Sequence, residues 1–202
     1  MQLLSFSEIA ISQRACRRFD GDEDMPDDDV LEILDMAVHA PSAHNWQPWE
    51  FIVVRDSAAR TKICDMTRSL FAEGKERMQT RVSEGHFRSA VDGMEKHGLD
   101  SAPVIIVVCA NLERIPRNAA PASIFPAVQN ILLGAASLNY GSCMATGLAE
   151  LMSEWLGELL TLPETILPLA CVYLGKPARR LGAPSREPAR VHTHRERFGL
   201  PW

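Results

Sequence analysis

Residues 40–54 read APSAHNWQPWEFIVV. Two prolines, two tryptophans, a serine, a histidine, an asparagine and a glutamine crowd into one connection, and what it joins fixes the architecture. Behind it, PDDDVLEILDMAVHA (26–40) carries acids in its first turn and Val30, Leu34, Ala37 and Val38 along one face, which predicts a helix. The helix ends at Ala40, because Pro41 disfavours a helical residue before it. Ahead, FIVV at 51–54 is a short apolar run with three β-formers and predicts a strand.

Working outward, Ser5-x-x-Glu8 has capping-box spacing and opens a short helix through about Ser12. Residues 57–97 are long and charged, with Ile63, Met66, Leu70 and Phe71 at helical spacing, so one or two partly exposed helices are expected. APVIIVVCA (102–110) is apolar on both faces and β-branched, as a central strand should be. Residues 120–139 predict a helix buried nearly all round, ended by Gly141. GSCMATG (141–147) reads as a connection, SEWLGELL as a helix and ILPLACVYLG (166–175) as a strand. From Lys176 onward the tail is rich in Pro and Arg and has no periodicity.

Helices outnumber strands and do not alternate with them regularly, which argues against a doubly wound sheet. Neither GxGxxG nor GxxxxGK[ST] occurs. The expectation is one α+β domain over residues 1–202, three-layered, with a small mixed β-sheet flanked by helices. At 202 residues, 46% hydrophobic and 23% charged, the chain is long enough to bury the core this requires. The net charge of -5 argues against nucleic acid as a partner. The N-terminus lacks a basic segment before an apolar core, and no window approaches a membrane span, so a cytoplasmic protein without a membrane partner is expected. Five scattered cysteines without CxxC suit reduced, buried thiols, and His192-x-His194 lacks companions for a metal site.

Four groups of residues could carry chemistry. Arg14, Arg17 and Arg18 suit phosphate, because the planar guanidinium donates two parallel hydrogen bonds, and Arg14 and Arg17 would share a side if the first helix continued. A solvated basic face is the plainer alternative. Ser42, Asn45 and Gln47 offer donors and acceptors from a loop restricted by Pro41 and Pro48, although the same loop serves as a structural turn. Gly147 in MATG allows close backbone approach, or simply makes a turn. Arg179, Arg180 and Arg186 read first as solubilising tail residues. GxSxG, HExxH and a Cys with a placed His are all missing, so the chemistry is expected to come from a cofactor.

Together these segments resemble the FMN-dependent nitroreductase family. The resemblance runs through RACRRF (14–19), the helix before Ala40, APSAHNWQPWEFIVV, APVIIVVCA, VQNILLGAASLNYGSCMATG (128–147), LPLACVYLGKP and PSREPARVH. It implies a nitroreductase-like fold in an intertwined homodimer, with the tail 176–202 wrapping the partner subunit and residues 63–97 as a lid. It implies that Arg14, Ala15 and Arg17 hold the FMN phosphate and ribityl chain, joined by Arg186. Pro41, Ser42, Ala43, Asn45 and Gln47 would reach the FMN held mainly by the partner, while Ala145, Thr146 and Gly147 would lie against the isoalloxazine. Gln13 stands where many members have Arg, and Ala15 where many have Ser.

The implied activity is ping-pong: NADH or NADPH reduces the flavin, which then reduces a nitroaromatic, quinone or related acceptor. No side chain is assigned as catalytic. Iodotyrosine deiodination is disfavoured, because Tyr140 and Tyr173 fall outside the lid segment, and so is cleavage of FMN for the cobalamin lower ligand, because Asn45 is present. Oxidation of cyclic dipeptides and flavin binding without turnover are the other readings.

Overall fold

Four strands pair in the order β1-β2-β4-β3, with β1 at Trp49–Val54, β2 at Val104–Asn111, β3 at Gly141–Ala145 and β4 at Ile166–Gly175. The structure is a computed structural model that describes residues 5–80, 84–95 and 99–202. β2 is central and buried from Val104 to Ala110, as its two-sided apolar run requires. Pro168 in β4 faces Cys109, where the register shifts, because proline has no N–H to give to the ladder.

The sheet corrects one expectation. All three strand pairs are antiparallel, because each connection returns the chain in the opposite sense to its neighbour. Among the described residues the parallel element is an isolated bridge, Ala15 beside Ser142. GSCMA, expected to be a connection, is the edge strand β3; it is short and its residues are mostly small, so only its pairing with β4 reveals it.

Period-two alternation divides the core between the two faces of the sheet. On one face Val104, Ile106 and Val108 pack with α2 (Asp27–Ala37) and α5 (Ala120–Ser137). There Asn130 Nδ2 donates to the Met36 carbonyl at 3.1 Å, tying the two helices. On the other face Ile105, Val107 and Cys109 pack with Ile63 of α3 (Ser57–Gln79), Leu148 of α6 (Gly147–Leu151) and Leu156 of α7 (Ser153–Leu160). The result is the expected three layers. The charged region divides into α3 and α4 (Glu84–Glu95); residues 81–83 and 96–98 of the expected lid lie outside the described residues.

α1 (Phe6–Ser12) has its capping box: Ser5 N–H donates to Glu8 Oε2 at 2.7 Å, and Glu8 N–H returns to Ser5 Oγ at 3.3 Å. None of its residues is buried, and Phe6 and Ile11 face outward. The tail makes one 3-10 turn at Ala189–His192 and leaves Phe198 90% and Trp202 70% exposed. Among the described residues no helix is long and apolar enough to cross a membrane.

Candidate active site

The α1 helix stops at Ser12, capped by Gln13, so Arg14 and Arg17 are not on a helix face. The segment after it runs beside β3 instead: Cys16 N–H donates to the Ser142 carbonyl at 2.8 Å, and Ala178 N–H donates to the Arg18 carbonyl at 3.1 Å. Cys16 and Phe19 are buried and anchor the segment, and Arg14, Ala15 and Arg17 are left facing a cavity of about 700 Å³. α4 closes down tightly here, since a Cβ on Gly93 would stand 2.5 Å from Arg17 Cβ.

The cavity wall is strongly cationic. Arg14, Arg17, Arg18, Lys75, Arg88, Arg179 and Arg180 line it, and among the described lining residues there is no carboxylate. Arg88 pairs with Glu84, and Arg18 and Lys75 have interactions of their own. Arg14 Nη1 donates to the Gly182 carbonyl at 3.1 Å, which ties the start of the tail to the cavity wall. Arg179 and Arg180, which the sequence presents as a solubilising doublet, therefore belong to the site. Their signal was position: they come shortly after a buried strand, on the segment that pairs with Arg18 and Phe19. Arg186 is exposed, lines neither cavity described here, and donates to the Ser185 carbonyl at 2.9 Å.

A second, apolar cavity of about 260 Å³ adjoins the first, and Arg17 lines both. Ala145, Thr146 and Gly147 form one side, with Met144 and Leu151, while Leu70, Phe71 and Met94 of α3 and α4 form the other. A Cβ on Gly147 would meet no atom within 4 Å, so the backbone there borders open space. Thr67 Oγ1 donates to the Ile63 carbonyl at 2.8 Å and accepts from Tyr173 O–H at 2.7 Å, so the polar floor is internally satisfied. Burial pushes the Cys143 thiol to about 11 and raises Cys16 as well, which leaves both protonated and unreactive as nucleophiles. Tyr140 and Tyr173 are both buried.

The third group lies elsewhere. Pro41, Ser42, Ala43, Asn45 and Gln47 precede β1, at the sheet edge opposite β3, and line neither cavity of their own chain. Three strand spacings separate those edges, roughly 14 Å. The loop is nevertheless sharply defined: His44, Asn45 and Gln47 have φ of 49°, 57° and 50°. Gln47 N–H donates to Ser42 Oγ at 3.0 Å, and Ala43 N–H donates to Ser123 Oγ of α5 at 3.1 Å. Arg114 Nη1 caps the Gln47 carbonyl at 3.2 Å. Ser123 and Arg114 carry no sequence signal for this role, because each comes from a distant element. Pro48 and Trp49 are buried, whereas His44 and a 43% exposed Trp46 project outward with ring centroids 4.9 Å apart.

The profile of the nitroreductase family matches residues 10–176. A candidate NADH dehydrogenase/NAD(P)H nitroreductase of Methanothermobacter thermautotrophicus is 32% identical, over 92% of this chain and 84% of that protein. Among solved structures, a candidate NADH oxidase of Clostridium acetobutylicum superposes with a TM-score of 0.70 at 25% identity, over 94% of this chain and 99% of that one. A nitroreductase with bound FMN from Desulfitobacterium hafniense superposes with a TM-score of 0.68 at 22% identity, over 90% and 93%.

Proposed function

The chain belongs to the nitroreductase family, and on that footing we propose that it is an FMN-dependent oxidoreductase that takes electrons from NADH or NADPH and delivers them to a nitroaromatic, quinone or related acceptor. The observation that carries this reading is the joined pair of cavities, one cationic and one apolar, with Arg17 at the junction. FMN has the same division, a phosphate on a polyol at one end and an aromatic ring system at the other. The donor set fits: guanidinium forks suit the phosphate, and the open backbone at Gly147 suits a flat ring. When bound, FMN supplies a hydride acceptor that a nicotinamide and then a second substrate can address in turn.

The chain's own residues bind, orient and exclude water. Arg14 and Arg17 hold the phosphate end, and Ala15 adds its backbone where the family pattern has a hydroxyl; Arg186, assigned there by resemblance, lies outside both cavities of its own chain and would have to reach the site of a second copy. Ala145, Thr146 and Gly147 support the ring, with Phe71 and Phe87 of the lid helices closing the two cavities against water. Of the expected lid, 63–97, the part beyond Thr67 serves in this reading, because Ile63 and Thr67 are buried against the sheet. The loop of Pro41, Ser42, Ala43, Asn45 and Gln47 completes the site of a second copy, which accounts for a polar loop held rigid at the sheet's far edge. A homodimer also covers the exposed Phe6, Ile11, Phe198 and Trp202.

The proposal is tested by loading the protein with FMN and measuring retention and mass together. The flavin-loaded protein is expected near twice the 22.4 kDa of the chain. Arg14→Ala is expected to weaken FMN binding by about 1.5–3 kcal/mol through the loss of a charged hydrogen bond. Protein that takes up no FMN, or a monomer that retains it, contradicts this reading.

A further inference from the structure

Arg179 and Arg180 stand on the segment that leaves β4 and pairs with the Arg14–Arg18 segment, and they line the cationic cavity with Arg14 and Arg17. Among the described residues none of these four has a carboxylate partner, in a protein whose net charge is -5. A phosphate monoester brings a charge of about −2. Resting on the FMN reading above, that leaves about two positive charges in one cavity without an anion. Like charges held together in a partly enclosed space repel, and the cheapest way to relieve them is a second anion. The cavity has the room, at about 700 Å³.

We propose that Arg179 and Arg180 form a second anion subsite, separate from the flavin phosphate, that takes a phosphate or carboxylate carried by one of the two substrates. The recognised chemistry is a forked guanidinium on a planar or tetrahedral oxyanion. Its source is either the electron donor, as a nucleotide phosphate, or the acceptor, as an aromatic carboxylate. Both arginines are exposed, so an oxyanion reaches them without any opening of the fold.

The test is calorimetry on FMN-loaded protein with adenosine 2′,5′-bisphosphate and 4-nitrobenzoate as anionic probes, and adenosine and nitrobenzene as their uncharged counterparts. In the Arg179→Gln/Arg180→Gln variant at least one anionic probe is expected to lose roughly tenfold to a hundredfold in affinity, with its uncharged counterpart unmoved and FMN retained. Loss of the bisphosphate assigns the subsite to the donor, and loss of nitrobenzoate assigns it to the acceptor. Two results overturn the proposal: both anionic probes binding the variant as they bind the wild type, or FMN lost from the variant as it is from Arg14→Ala. Wild-type protein that takes up no FMN, yet binds a probe in an arginine-dependent way, would overturn the flavin reading and uphold the subsite.

Discussion

His44, Asn45 and Gln47 lie in left-handed backbone, where a Cβ crowds the following carbonyl. Asn and His tolerate the region better than most, and a β-branched residue tolerates it worst. His44→Val is therefore expected to unfold about 1–2 kcal/mol less stably than His44→Gly in urea; equal stabilities would show that the loop relaxes instead of holding its shape. The strain was only half legible. The residue types mark the loop as special, but its positive φ values depend on Ser123 and Arg114, which arrive from elsewhere in the fold. Arg179 and Arg180 show the converse failure. Composition assigns them to a solvated tail, whereas the bridge of Phe19 to Pro177 and the bonds of Ala178 to Arg18 and of Arg14 to Gly182 bring that tail back to the cavity.

At the scale of elements, the strand and helix signals were strongest where burial is two-sided. β2 and β4 fall where their apolar runs place them, whereas β3 was missed because an edge strand of five residues has one neighbour and no pattern of its own. The close packing of α4 on the Arg14–Arg18 segment leads to a prediction. Gly93→Ala places a methyl 2.5 Å from Arg17 Cβ, so either the helix or the arginine must move. FMN retention is expected to fall toward that of Arg14→Ala, with helical content preserved by circular dichroism. Retention equal to wild type would mean that α4 shifts without disturbing Arg17.

For the molecule as a whole, three layers around a small sheet place five thiols in the interior. Burial pushes Cys64, Cys109 and Cys171 to about 12 from an ordinary 9.0. The folded state therefore keeps protons that the unfolded chain releases above pH 9, and stability falls as pH rises from 9 toward 12. Denaturant titrations at pH 8 and pH 10 read this difference; an unchanged midpoint would contradict burial of these groups. The joined cationic and apolar cavities make a more specific claim, that the chain positions FMN between a nicotinamide donor and an acceptor. The most direct measurement is the visible spectrum of the FMN-loaded protein under anaerobic conditions. NADH or NADPH is expected to bleach the flavin absorbance and a nitroaromatic or quinone to restore it, whereas a flavin that stays oxidised with both donors would contradict the account.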